Sequence, residues 1–265
     1  MRRWFPFFNS APLISVVRLQ GVITSGGRGG LSDRGLAATL ERAFSKGKPA
    51  AVALEINSPG GSPVQSSLIG ARIRRLAEDK GIPVFAFVED VAASGGYWLA
   101  ASADEIYADP SSVVGSIGVI SASFGAHDLI ARYGVERRVY TAGTSKSQLD
   151  PFRPENEEDV ARLKSLLNDI HGNFIDHVKA RRGSKLSTEA DLFNGEVWLG
   201  EKAKALGLID GIDHVKPFMQ QRFGKKVKFR RYGMRRPLLS RIGGQLMGDA
   251  VAQIEERAAF AQYGL

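Results

Sequence analysis

The chain has 265 residues, no cysteine, and 36 Lys and Arg against 28 Asp and Glu, for a formal net charge of +8. The missing cysteines exclude disulfides, thiolate nucleophiles and cysteine-held metal sites, while a hydrophobic content of 43% allows a sizeable core. No run approaches the roughly 18 apolar residues a membrane-spanning helix needs. The start, MRRWFPFFNSAPLISVV, has the look of a signal sequence, but Pro6, Asn9, Ser10 and Pro12 interrupt it. Residues 1–12 therefore read as a loose tail, with Trp4, Phe5, Phe7 and Phe8 available to a membrane or a subunit neighbour.

LISVVRLQGVI (13–23) is a β-branched run and predicts the first strand. A glycine-rich loop, SGGRGG (25–30), leads to SDRGLAATLERAFS (32–45), where Ser32 caps a helix with Leu36, Leu40 and Phe44 on one face. AVALEINS (51–58) predicts a buried strand ending at PGGSP, followed by a helix over 64–79. PVFAFVE (83–89) predicts a third strand, and a helix follows Ser94. EIYADP (105–110), SIGVIS (116–121) and ERRVYTA (136–142) predict further strands, with a helix over 126–134 between the last two. A long helix is expected over 155–182, because Leu163, Leu166, Leu167, Ile170, Phe174 and Val178 recur at three- and four-residue steps. GEKAKALGLIDGI (200–212) predicts a helix closed by Gly207. Strands alternating with helices at this spacing imply an α/β fold of βαβ units on a largely parallel sheet. The expected organisation is the tail 1–12, one domain over 13–235, and a C-terminal helix over 236–265 serving as an oligomer contact.

The positive charge concentrates in QRFGKKVKFRRYGMRR (221–236), which holds eight Lys and Arg from Arg222 to Arg236. A solvated edge strand and turn explains it, and so does a peripheral surface for anionic lipid over 222–236. No recognition helix or aromatic-interleaved RNA motif accompanies it, so nucleic acid is not expected as a partner. The expected location is cytoplasmic, peripheral to the membrane at most.

Three stretches carry chemistry. VAASGGYW (91–98) puts Ser94 between a strand and a helix, ahead of Gly95 and Gly96. A nucleophile and an ordinary N-cap serine both satisfy that pattern. EINSPGGSP (55–63) puts Gly60 and Gly61 at the carboxyl end of a strand, where ligands bind in open α/β sheets and free amides can hold an oxyanion. It matches neither the phosphate-binding P-loop nor the dinucleotide fingerprint. TAGTSKSQLDPF (141–152) puts Lys146 in a polar turn. A serine needs a base. Of the four histidines, His171 and His177 fit solvent or packing roles on the long helix, His214 lies in a turn, and only His127 merits thought. A lysine serves if burial lowers its pKa by several units. On the sequence alone, a solvated surface residue is the default reading of Lys146.

EINSPGG, VAASGGYWLAASAD, VGSIGVI, GTSKSQLDPF and GEKAKALGLIDGI, in that order, resemble the signal peptide peptidase A family of serine peptidases. The resemblance covers roughly residues 13–215. It implies a ClpP/crotonase-like fold, Ser94 as nucleophile and Lys146 as general base. It further implies an oxyanion hole at Gly60, Gly61 and Gly95, with Ser62, Ile117, Gly118 and Val119 lining an extended peptide. Ser116 is the choice for orienting the lysine. No metal or organic cofactor is implied. The partners implied are peptides, remnant signal peptides or other small and hydrophobic ones, and further copies of the chain in a ring. Unlike the long members, this chain carries serine and lysine in a single copy, so the dyad forms within one subunit or between two. Two rivals remain: a crotonase-like acyl-CoA hydratase or isomerase using Glu89 and Asp90, and a non-catalytic, membrane-associated scaffold.

Overall fold

A computed structural model describes residues 11–25, 30–143, 145–233 and 256–265. The aromatic tail at Trp4–Phe8, most of the 25–30 glycine loop, and the start of the expected C-terminal helix lie outside these. In chain order the elements are β1 Leu13–Gln20, α1 Asp33–Ser45, β2 Ala51–Ser58, α2 Pro63–Lys80, β3 Val84–Ala93, α3 Gly95–Ala101, β4 Glu105–Ala108 and β5 Val113–Gly115. Then come α4 His127–Arg132, α5 Glu157–Arg182, β6 Val197–Leu199, α6 Gly200–Ala205, β7 Gly211–Ile212, α7 Val215–Phe223 and β8 Lys228–Tyr232.

Eight strands form one sheet along the path β6-β5-β3-β2-β1-β8, with β4 and β7 branching from β3. All pairings are parallel except β5 with β6. This is the mixed α/β, ClpP-like architecture expected from the alternating pattern. β2 is buried along its whole length, as a central parallel strand covered on both faces must be. Val52, Leu54 and Ile56 meet Leu36, Leu40, Phe44, Ile69 and Ile73 from α1 and α2. Ala51 and Ala53 meet Phe218 and Met219 from α7 on the other face. α2 starts and stops by local rules: Ser62 caps it, Pro63 opens it, and Gly81 closes it at φ +60°.

β3 positions the site. Its first half, Phe85–Val88, pairs with β4, and its second half, Val91–Ala93, pairs with β5. The register against β2 shifts between the two halves. The sheet thus forks, and the end of β3 projects into the fork.

Two expected strands are absent. The regular strand is Val113–Gly115, and residues 116–121 carry no ladder; nor do 136–142. A strand needs a neighbour for its backbone groups. Here the side chains of Ile120, Phe124 and Tyr140 stand 86%, 90% and 91% exposed. The long helix is present, and Asn156 caps it by accepting from the Glu158 and Asp159 amides. Its expected apolar face is covered only toward the end, at Phe174 and Val178, while Leu166 is exposed. The short β6 and β7, and α7, have no sequence counterpart in the reading above. The basic stretch forms β8, an edge strand parallel to β1. Among the described residues, no helix is long and apolar enough to cross a membrane.

Candidate active site

Ser94 occupies the turn between β3 and α3 at φ 52°, ψ −123°. A non-glycine residue at positive φ is strained by roughly 1–3 kcal/mol and persists only where its surroundings impose it. Here the Ser94 amide donates to the Gly115 carbonyl at 2.9 Å, and the Ser94 carbonyl accepts from the Tyr97 and Trp98 amides. The hydroxyl makes no capping bond. The sequence left open whether this serine merely caps a helix; the geometry gives it the sharp strand-to-helix elbow that presents a hydroxyl.

Glycine is required on both sides of this elbow. A Cβ at Gly60 would lie 2.7 Å from both the Ser94 Cβ and the Gly95 nitrogen, and one at Gly96 would lie 2.3 Å from the Ser58 carbonyl oxygen. The NSPGG loop and the elbow therefore touch backbone to backbone. Ser58 is buried; its hydroxyl donates to the Gly21 carbonyl at 2.8 Å and accepts from the Gly60 amide at 3.2 Å. The Gly60 amide is thus engaged. Among the described residues, the Gly61 and Gly95 amides have no hydrogen-bond acceptor. Ser62 is occupied locally, its amide on the Ile23 carbonyl and its hydroxyl capping α2.

α3 is fixed at its far end. Tyr97 is fully buried and donates to the Leu208 carbonyl at 2.7 Å. Burial pushes its phenol well above the usual range, so it stays a neutral donor. Trp98 stacks on His177 of α5 at 4.4 Å and packs against Phe174. His177 Nε2 lies 3.1 Å from the Trp98 carbonyl. Burial lowers the His177 pKa to about 4, which keeps the ring neutral. Arg181 donates to the Ala101 and Ala103 carbonyls. Buried Arg182 donates to the Gly207 carbonyl and to Asp210 at 2.7 Å. Burial alone would raise the Asp210 pKa, but hydrogen bonds from Arg182, Lys185 and the Ile106 amide hold it below the usual carboxylate range.

Lys146 lies on the opposite kind of surface. It is exposed, in a run of turns over 145–149, its own amide on the Gly143 carbonyl. Among the described residues, no hydrogen bond joins it to Ser94 or Ser116. Ser116 sits at φ 54°, with its amide on the Glu196 carbonyl and its hydroxyl 3.4 Å from the Tyr263 hydroxyl. Ile117 is buried, and Gly118 and Val119 are half-buried. No histidine bonds Ser94: His127 pairs with Asp128, His214 with Asp109, and His171 Nε2 meets the Ile117 carbonyl. The carboxylates of the hydratase reading are taken, Glu89 by Arg18 and Asp90 by Asn57. They line a cavity of about 650 Å³ with Glu55 and His214, and Ser94 does not line it. No metal-ligating cluster occurs among the described residues.

Sequence reasoning missed Ser58, Tyr97 and the two helix histidines as parts of this site. Ser58 was inside a motif already singled out. His171, Phe174 and Val178 share one helical stripe, a spacing that marks the covered face of α5.

The elbow, the facing glycine loop and the order of elements agree with a comparison of sequences. Residues 76–226 match the profile of Peptidase family S49. This chain belongs to that family. Within S49 it is of the signal peptide peptidase A type, and the matched span includes Ser94 and Lys146. It is 31% identical over 166 residues to a putative signal peptide peptidase SppA of Enterococcus faecium, covering 62% of this chain and 47% of that one. It is 30% identical over 197 residues to a putative protease of Synechocystis, covering 74% and 68%. It is also 50% identical over 271 residues to a protein of Brucella abortus named Na(+)/H(+) antiporter NhaA, covering 95% of this chain but 37% of that one. The chain thus spans little more than a third of the Brucella protein's length. The S49 profile falls on this chain itself, which therefore carries a serine-type peptidase domain.

Proposed function

We propose that the chain is a serine endopeptidase acting through an acyl-enzyme, with Ser94 as nucleophile and Lys146 as general base. The observation that carries this reading is the strained Ser94 elbow, its hydroxyl and the Gly61 and Gly95 amides without a hydrogen-bond partner among the described residues. Neutral Lys146 takes the Ser94 proton as the hydroxyl oxygen attacks a peptide carbonyl. The Gly61 and Gly95 amides receive the oxyanion; donors of this kind are typically worth about 3–4 kcal/mol each. The lysine, now charged, protonates the leaving amine, and water then releases the acyl group. Gly60 takes a different part from the one first expected: its amide braces the loop through Ser58.

Lys146 is exposed in the chain alone, and a lysine becomes a base near neutral pH only when desolvated. The segment that bears it, roughly 117–156, also leaves Ile120, Phe124, Tyr133 and Tyr140 uncovered. Both facts favour a dyad completed in a homo-oligomer, the segment of one copy closing over the elbow of the next. In this reading Ser116 orients the lysine in the assembled ring. Substrate peptides lie along Ile117–Val119, and the apolar character of that stretch favours small or hydrophobic residues, as remnant signal peptides supply. The basic stretch ties Arg222 of α7 and Arg230 and Arg231 of edge strand β8 to protein acceptors and leaves Lys225, Lys226 and Lys228 exposed, which suits a cytoplasmic chain with light contact to anionic lipid.

The test is labelling by a fluorophosphonate, with the modified residue identified by mass, alongside a rate–pH profile for peptide cleavage. Modification of Ser94 and a profile rising with an apparent pKa well below the ~10.4 of free lysine are expected. Absence of Ser94 labelling overturns the reading.

A further inference from the structure

Helix α5 grips the site at two carbonyls. At its buried end, His177 meets the Trp98 carbonyl on the nucleophile helix. Nearly two turns earlier, His171 Nε2 lies 3.1 Å from the carbonyl of Ile117. A carbonyl only accepts, so each ring must carry its proton on Nε2 and donate. The two contacts differ in setting. His177 is stacked on Trp98 and packed into the core. His171 is half-buried, and its hydrogen bond to Ile117 is its one polar contact among the described residues.

The Ile117 carbonyl is the hinge of the stretch that follows β5. Ser116 is fixed on one side by its amide on the Glu196 carbonyl at 2.7 Å, and the Ile117 side chain is wholly buried. The Gly118 amide folds back to the Ser116 carbonyl at 2.9 Å. Beyond this point Val119 is half-exposed and makes no backbone hydrogen bond among the described residues, which leaves its amide and carbonyl open to an added strand. The height of that open edge relative to Ser94 depends on where the Ile117 peptide is held. The side that faces α5 is held by His171.

We infer that His171 is a positioning residue for the peptide-binding edge: through the Ile117 carbonyl it sets the register of Ile117–Val119 against Ser94. This rests on the peptidase reading above. His171 touches neither substrate nor the reacting atoms, so its loss weakens capture of an extended peptide and spares the nucleophile.

The test compares two reagents on the full chain. A small fluorophosphonate needs only the elbow, the base and the oxyanion donors; a peptide of six or more residues also needs the edge. His171→Leu keeps the ring's bulk without a donor, and His171→Asn is polar but too short to reach. Each is expected to raise the peptide KM about five- to tenfold, the worth of one hydrogen bond, with kcat and the labelling rate of Ser94 unchanged. His171→Gln, whose amide reaches the position of Nε2, is expected to restore the KM. Equal loss of labelling and peptide cleavage, no change in KM, or failure of Gln to rescue overturns the inference. Wild-type chain that takes up no fluorophosphonate overturns the nucleophile assignment instead, and this inference with it.

Discussion

The two halves of the proposed dyad sit in opposite surroundings. Ser94 stands on a tightly constrained part of the molecule: β3 and α3 are buried, Tyr97 and Trp98 are pinned, and the NSPGG loop presses against the elbow backbone to backbone. Lys146 stands on an exposed one, in turns between a short exposed helix and the uncovered half of α5. A strained φ requires rigid support, and one chain supplies it in full. A neutral lysine requires a dry pocket, and one chain does not supply it. Under the proposed reading, the nucleophile is a property of the fold and the base a property of the assembly, and the contrast teaches where to test each.

The sharpest way to break this contrast is to remove each half. Ser94→Ala and Lys146→Ala are each expected to lower kcat by on the order of 10⁴–10⁶-fold, as with members of other hydrolytic constellations. Lys146→Ala should leave the thermal midpoint unchanged, since the side chain is exposed. Loss of stability in that variant would show that the lysine is structural in the single chain.

The rigidity of the nucleophile half is tested next. Arg182→Ala leaves Asp210 to Lys185 and the Ile106 amide, and the Gly207 carbonyl without its buried donor, and is expected to destabilise by about 1–3 kcal/mol in denaturant titration. A change below about 1 kcal/mol would mean that the 207–210 turn, whose Leu208 carbonyl receives the Tyr97 hydroxyl, is not held by this pair.

His177 gives a pH signature of the same anchoring. Its folded pKa, about 4, lies below the ordinary 6.5. A base with a depressed folded pKa takes up its proton on unfolding, so its stabilising contribution is complete above about pH 6.5 and fades as pH falls toward 4. Stability should drop by about 3 kcal/mol across that window, and the drop should vanish in His177→Gln. A flat profile would mean the ring is solvated.

The smallest effect on the isolated chain is expected from Phe124→Asp with Tyr140→Asp. Both side chains are almost fully exposed, so the folding free energy should move by less than about 0.5 kcal/mol. Oligomer mass in light scattering should nevertheless fall, and cleavage with it. Stable oligomers in this variant would place the interface elsewhere.

Much of the rigid half was legible in the sequence, because local rules decide it. Ser32, Ser62 and Gly81 mark helix ends by capping chemistry, β2 reads as a continuous apolar run, and the glycines around Ser94 announce close backbone approach. What the sequence does not carry is partnership. SIGVIS and ERRVYTA have strand composition, yet among the described residues no neighbouring strand meets them. β6 and β7 are strands only because β5 and β4 lie alongside. The engagement of the Gly60 amide depends on how Ser58 turns its hydroxyl, and the roles of His171 and His177 depend on which carbonyls α5 happens to cross. Spacing along one chain does not encode such crossings.

Mixing two inactive chains tests the contrast most directly. Ser94→Ala retains the lysine, Lys146→Ala retains the serine, and co-assembled rings are verified by mass to contain both. Recovery of peptide cleavage in the mixed rings, with each variant inert alone, is the predicted result. Mixed rings as inert as their components, beside an active wild type, would contradict a dyad shared between copies.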